Sequence, residues 1–485
     1  MKRICLGIGI LALLAASIAI PCTIISGKTK DGVVWAGNNE DFYFDFNTYL
    51  NVLPPEEDLL GAVSFTYGTP DSHIQGGFNE AGLFFDFNAL PAIPKSDWID
   101  WGERKEFPGG EITFFSRMLR TCATVQDAIA MIKKYKIELA YGQVHLADSK
   151  GTLAVINNSG IRISETNYQV STNFNIFKRG PSDGGRHCWR YPIAEKMFQE
   201  REASLETLRD ILDTTQQHRL VGTIYSNVIN LTTGDAYNYF AGDFKNAYHF
   251  NLRELMKQGK KSYLWRSLFS EAPVVKIWET YLGQGAQAAV GVFQKIKNTI
   301  SDSRQSEVLR HVFSSCLLRE NKYADAKTFF EEWLKVNGGK DAMTNFYHGL
   351  VQLTTGNTER AKHYFTEQTK VDETDELAKK SYRPYAKIFL GLLEGNKPPG
   401  ANAHFELKGH HDARFVCVMG LNYVPIINFM KKTKEGWAAD FALPPGKHHY
   451  AFLVDGEVVF DPANPDKEEI DTEDGKMTLN VLVVE

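Results

Sequence analysis

The sequence predicts an α+β chain built from three bodies. A strand-rich N-terminal region with interspersed helices comes first, then an all-helical middle, then a small β-sandwich. Three observations carry this. Strand-length runs of β-branched and aromatic residues fill the first half of the chain. Helical periodicity without strands takes over from about Leu264 to Leu393. Period-two alternation returns from Ala403 to Glu485. At 485 residues the chain is long enough for several buried cores.

The chain opens with Met1-Lys2-Arg3 and an uncharged, mainly apolar run from Ile4 to Pro21. A basic start and an apolar stretch form the pattern of a secretory signal peptide, here residues 1–21. A membrane anchor is the alternative, at the lower limit of the ~17–25 residues that a span needs. Ser17 and Ala19 offer small residues for cleavage, which would leave Ile20-Pro21-Cys22 at the start. Lipidation of Cys22 requires a small residue before it, and Pro21 does not fit. The expected location is exported, periplasmic or secreted, with the leader removed before Cys22.

From Cys22 to residue 258 the strand candidates are Cys22–Ser26, Val33–Ala36, Ala62–Tyr67, Val144–Ala147, Leu153–Ile156, Tyr168–Thr172 and Thr223–Asn230. Turn signals such as Asp31-Gly32 and Thr233-Gly234-Asp235 bound them. Helical spacing appears at Thr113–Arg120, Val125–Lys134, Ile193–Glu200 and Leu205–Leu212. Strands outnumber helices, so layered α and β is expected rather than strict βαβ alternation. The helical body, 259–398, carries a weak repeat: Ala289…Phe293, Ala326…Phe330 and Ala361…Phe365, at offsets of 37 and 35 residues. Periods near ~34 with small and aromatic contact residues look like tetratricopeptide-type hairpins, and an ordinary bundle is the alternative. Glu394 to Gly400 is a breaker-rich linker. The last body, 399–485, reads as a β-sandwich with Asp455-Gly456 as a hairpin turn.

Lys plus Arg number 54 and Asp plus Glu 59, a net charge of −5, which argues against a nucleic-acid partner. Six cysteines are too few for a disulfide scaffold of this length. No CxxC, HExxH, Walker A or GxSxG pattern occurs, and the pairs His410-His411 and His448-His449 lack metal-ligand spacing. No cofactor or metal is therefore expected.

Position makes one cysteine special. If the leader ends before Cys22, its own α-amine becomes available as a base for its thiol. Reference values of ~7.7–8.0 and ~8.5 make that proton exchange nearly even near neutrality. A peptide bond to Pro21 would abolish the basicity, so processing would also be activation.

Cys22-Thr23-Ile24-Ile25, Asp31-Gly32 and Gly37-Asn38-Asn39-Glu40-Asp41 resemble the start of the N-terminal-nucleophile (Ntn) linear amide hydrolases. That family includes penicillin V acylase, choloylglycine (bile salt) hydrolase and isopenicillin N acyltransferase. The resemblance implies an αββα sandwich over 22–258 and a Cys22 nucleophile. Asp41, nineteen residues on, would hold the α-amine and thiol. Phe78-Asn79-Glu80-Ala81-Gly82-Leu83 and Phe87-Asn88 resemble the segment that supplies an oxyanion-hole asparagine, here Asn88. Ser171-Thr172-Asn173 resembles a strand-end motif that makes Asn173 a site residue, with Asn175 as a nearby competitor. Arg190 resembles the arginine that braces the nucleophile, and Asn38 and Asn39 are expected to contact substrate. Asn38 stands where the bile-salt and penicillin V branches carry arginine, a departure that leans toward the acyltransferase-like branch.

Residues 403–485 resemble the glycogen-recognition early-set module, through Met419-Gly420-Leu421-Asn422, Trp437, Leu443-Pro444-Pro445-Gly446 and Asp461-Pro462. Val424 and Val458 stand where its sugar-stacking tryptophans usually lie, so a structural or docking role is favoured over glycan binding. The expected activity is hydrolysis of a linear amide in a small N-acylated molecule through a Cys22 thioester. Acyl transfer is the close alternative. A catalytically degenerate scaffold, with a protein partner at the helical repeats, is the rival from another class.

Overall fold

Two antiparallel sheets face each other at the N-terminal end of the chain, and a pair of helices covers the outer side of each. This computed structural model describes residues 22–485 except 43, 45, 73, 91–92, 179–187, 218–221, 298–299, 301–308, 310–312, 314–316, 318–321, 337–338, 372–382, 384–385, 388, 392, 395–400, 414–415, 420–427, 442, 444–445, 455–456, 473–474 and 485. The leader, most of the linker, Arg186-His187, the Gly420-Leu421-Asn422 and Val424 positions and the Asp455-Gly456 turn lie outside the described residues.

The strands of this region are β1 (Thr23–Lys28), β2 (Val34–Phe42), β3 (Thr48–Leu53), β4 (Ala62–Tyr67), β5 (Ile74–Asn79), β6 (Phe84–Ala89), β7 (Gly142–Ala147), β8 (Leu153–Asn157), β9 (Gly160–Ile163), β10 (Tyr168–Ser171), β11 (Gly222–Asn230), β12 (Asp235–Phe240), β13 (Asp243–Asn251) and β14 (Lys261–Leu264). The helices are α1 (Glu111–Thr121), α2 (Val125–Lys134), α3 (Arg190–Glu200), α4 (Leu205–Thr215) and a short α5 (Leu252–Met256). The first sheet runs β10-β1-β2-β11-β12-β13, and the second β14-β3-β4-β5-β6-β7-β8-β9. Hydrophobic side chains of α1 and α2 share a core with the second sheet, those of α3 and α4 with the first. The result is a four-layer α-β-β-α arrangement.

Local sequence explains the helices. Thr124 caps α2 through a reciprocal capping box with Asp127, and Val125, Ala128, Ile129 and Ile132 form its buried stripe. Ser204 caps α4 by accepting from the Thr207 N–H, and Leu208, Ile211 and Leu212 turn inward. Gly37 lets α4 and β11 approach β2. A Cβ there would lie 2.5 Å from the Asn227 carbonyl oxygen and 3.2 Å from Leu212 Cδ1. Strand β2 runs on to Phe42, beyond the expected Ala36, because its polar residues from Gly37 to Asp41 pair with both β1 and β11.

Polar and aromatic contacts tie the sheets face to face. His145 on β7 bonds Ser26 Oγ on β1 at 2.8 Å and Ser171 Oγ on β10 at 2.9 Å. Tyr225 on β11 packs against Phe65 on β4 and stacks on Trp265, at centroid distances of 5.9 and 4.1 Å.

The chain divides into two compact units, Ala19–Cys316 and Leu317–Glu485. The first extends past the expected limit at residue 258 and takes in α6 (Pro273–Gln284) and α7 (Ala286–Ile296). Trp278 of α6 packs edge-on against Phe44 at 5.7 Å, which ties that helix to the sandwich. In α7, Ala289 and Phe293 are buried.

The second unit begins with α8 (Tyr323–Val336), α9 (Ala342–Thr354) and α10 (Thr358–Lys370). The repeated pairs Ala326/Phe330 and Ala361/Phe365 are buried on α8 and α10. Gly349 on α9 admits the Phe365 ring, whose Cε1 lies 2.6 Å from where a Cβ would sit. From Ala403 on, the chain forms two antiparallel sheets around Phe405, Val416, Val418, Trp437, Tyr450 and Phe452. The strand Ala403–Lys408 alternates buried and exposed residues.

Burial lowers the His145 imidazole to about 3, so it stays neutral in the folded protein. His145→Leu leaves two buried serine hydroxyls without this partner and is expected to cost about 2 kcal/mol or more at neutral pH, read by urea unfolding. The unfolded histidine binds protons at ~6.5 and the folded one near 3, so the wild type loses stability as pH falls between them. The gap between wild type and variant therefore narrows on acidification.

Candidate active site

The site is assembled on β2, the strand flanked by β1 and β11. Cys22 precedes β1, and Thr23 stands opposite Asn39. Successive residues of β2 turn to opposite faces, which divides the site in two. Asn38 and Glu40 face the second sheet with the Cys22 thiol, as their bonds show. The Cys22 thiol donates to Glu40 Oε1 at 3.9 Å. The Tyr67 hydroxyl, from β4, donates to the same oxygen. Asn38 Nδ2 lies 3.4 Å from Glu40 Oε2, and Asn227 Nδ2 donates to Asn38 Oδ1 at 2.7 Å.

Arg190, the first residue of α3, organises the helix-side face and is itself buried. Its guanidinium donates to Thr23 Oγ1 at 2.9 Å and to Asn173 Oδ1 at 2.8 Å, and lies 3.8 Å from Asp41 Oδ2. Thr223 donates to Asp41 Oδ1. Asn173 Nδ2 donates to the Ala89 carbonyl at 2.8 Å, tying this cluster to the end of β6. One residue earlier on β6, Asn88 Nδ2 donates to the Cys22 carbonyl oxygen at 3.2 Å.

Cys22, Asp41, Asn88, Asn173 and Arg190 are thus linked by direct or one-residue contacts, and Asn38 reaches the thiol region through Glu40. Asn39 does not join them. Its side chain is engaged on the helix side, donating to the Leu212 carbonyl at 2.8 Å and accepting from Ser226 Oγ at 2.7 Å. Asn175, the competitor of Asn173, bonds Asn157 and Ser159 instead. Sequence reading passed over Glu40, Tyr67, Asp86 and Thr223. Period-two alternation between Asn38 and Asp41 was signal enough for Glu40; the others come from distant strands and carry no local mark.

Among the described residues no lysine or arginine faces the thiol side, and burial dominates the electrostatics there. Burial pushes the Cys22 thiol up, the Glu40 and Asp41 carboxyls push it further, and a hydrogen bond from the Asp41 backbone pulls down. Glu40 is pushed up to about 7 by burial, against hydrogen bonds from Tyr67, Asn38 and Cys22. Burial raises Asp41 as well and outweighs the pull of Arg190 and Thr223. Asp86 is raised by burial and by Glu40, and its Oδ2 has no hydrogen-bond partner among the described residues.

Residues 28–244 match the family model of acyl-coenzyme A:6-aminopenicillanic acid acyl-transferase. No curated protein matches the chain in sequence. Among solved structures, a single-residue variant of conjugated bile acid hydrolase from Clostridium perfringens is 14% identical, with 50% of this chain and 97% of that chain covered and a TM-score of 0.42. Penicillin V acylase from Agrobacterium tumefaciens is 14% identical over 48% of this chain and 87% of that chain, with a TM-score of 0.38.

Arg190→Met removes the guanidinium that pairs with Asp41 and is expected to cost about 3–5 kcal/mol. Adding Asp41→Asn should recover part of that loss. A double-mutant cycle on urea unfolding measures the coupling, and strictly additive losses would refute it.

Proposed function

We propose that the chain is an exported cysteine acylase that cleaves the linear amide of a small N-acylated molecule. The observation that supports this most directly is the setting of Cys22. It heads β1, is buried between the two sheets, is held at its carbonyl by Asn88, and is braced through Thr23 by Arg190. Removal of residues 1–21 would free the α-amine beside the thiol.

In this reading the Cys22 sulfur attacks the amide carbon and the α-amine moves protons. Asp41, fixed by Arg190 and Thr223, orients the pair. Asn88 and Asn173 serve the oxyanion and the substrate. Collapse of the tetrahedral intermediate expels the amine, and water hydrolyses the thioester. A neutral amide donor stabilises the oxyanion without adding a charge that titrates. The second reading is acyl transfer, favoured by the description of the matching family. There an acceptor amine takes the place of water. The early-set-like body at 399–485 and the helical repeats serve as docking or structural modules in either case.

Intact mass of the exported protein is expected to show a chain beginning at Cys22. Cys22→Ala should abolish turnover of a panel of N-acyl amines; equal activity in wild type and variant would sink the proposal. Asn88→Ala should lower kcat by about 10²–10³ with a smaller change in KM. Product analysis with an added amine separates the two readings, since transfer yields a new amide and hydrolysis a carboxylic acid.

A further inference from the structure

Glu40 has no part in the reaction sequence above, yet its carboxyl is aimed at the proposed nucleophile. Oε1 accepts from the Cys22 thiol at 3.9 Å and from the Tyr67 hydroxyl. Oε2 faces Asn38 Nδ2 at 3.4 Å, and Asn227 fixes Asn38. Both carboxyl oxygens are therefore held. The titratable groups around Glu40 are Cys22 just before β1, Asp41 beside it on β2, Tyr67 from β4, Asp86 from β6 and Tyr225 from β11. Arg190 lies on the Asp41 face and pairs there. No lysine or arginine side chain pairs with Glu40 among the described residues.

We propose that Glu40 is a second catalytic proton carrier, taking the thiol proton through Oε1 as the sulfur attacks, while the Cys22 α-amine serves the leaving group and the water. This rests on the acylase reading. The cycle starts with a thiol, an ionised Glu40 and a protonated α-amine. The thiol proton passes to Glu40, the S–C bond forms, and the carbonyl π electrons move to oxygen. The α-ammonium protonates the departing nitrogen as the C–N bond breaks. Water then attacks the thioester and gives a proton to the neutral α-amine. The S–C bond breaks, and the thiolate recovers its proton from Glu40. The sum is amide plus water to acid plus amine, with every group returned to its starting state. A carboxyl titrating at about 7 is suited to this exchange near neutrality.

The test needs no substrate. The mature protein is alkylated with iodoacetamide between about pH 5 and 10, and modified Cys22 is quantified by mass spectrometry. The wild-type rate is expected to rise through a midpoint near 7 and level off. Glu40→Gln should lose that limb and leave the α-amine as the remaining acceptor, moving the midpoint to about 8. Tyr67→Phe keeps the carboxyl but removes a hydrogen bond that favours its charged form, so its limb should move to higher pH. A Glu40→Gln profile with the wild-type midpoint overturns the proposal. Should that variant not fold, an unmoved midpoint in Tyr67→Phe overturns it equally. Failure of the acylase reading shows separately, as turnover that survives Cys22→Ala.

Discussion

The buried guanidinium of Arg190 is the interaction on which the arrangement of the site depends. It joins the first turn of α3 to Thr23 at the start of β1, to Asn173 after β10, and to Asp41 on β2. Asn173 carries the connection on to the end of β6 in the opposite sheet. A guanidinium suits this position because its donors form a planar fork, whereas a lysine would offer one mobile point charge. Its burial also sets the sign of the local field. The positive charge lies on the helix side of β2, and the thiol side holds carboxyls and phenols.

That separation bears on the chemistry of the thiol. Cysteine nucleophiles are commonly activated by a nearby cation that favours thiolate. Here Asn38 stands on the thiol face and bonds Asn227 and Glu40, both without positive charge. Burial and the neighbouring carboxyls hold the proton on sulfur. In the proposed mechanism, activation comes from proton acceptors placed against the sulfur rather than from a standing positive field. The proposal names two such acceptors, a freed α-amine and the Glu40 carboxyl.

Much of this was legible in the sequence. Helix α2 follows from Thr124, Asp127 and an apolar stripe, and it runs over the expected residues Val125–Lys134. Strand β4 likewise spans the expected Ala62–Tyr67. The polar strands were harder. The stretch from Gly37 to Asp41 has no apolar pattern, and it is strand because the chains on both sides supply its hydrogen-bond partners. Of the candidate residues, Asp41, Asn173 and Arg190 share one cluster of contacts, and Asn88 bonds the Cys22 carbonyl. Tyr67 and Asp86 escaped because their nearness to the site is made by the face-to-face sheets, and Thr223 because it is made by the pairing of β11 with β2, relations that no local spacing records. Asn39 lies between two residues of the thiol face, and pleating turns its side chain to Leu212 and Ser226.

The pleat of β2 has a further consequence. Two adjacent acidic residues, Glu40 and Asp41, belong to different chemical compartments only because the strand alternates. A slip of one residue against β1 would exchange them, sending the carboxyl paired with Arg190 to the sulfur and stranding the other beside the guanidinium. Changes in the β1–β2 turn length are therefore tolerable only when they preserve parity. Gly37, wedged against Asn227 and Leu212 where no larger residue fits, acts as the index mark that keeps the strand in phase.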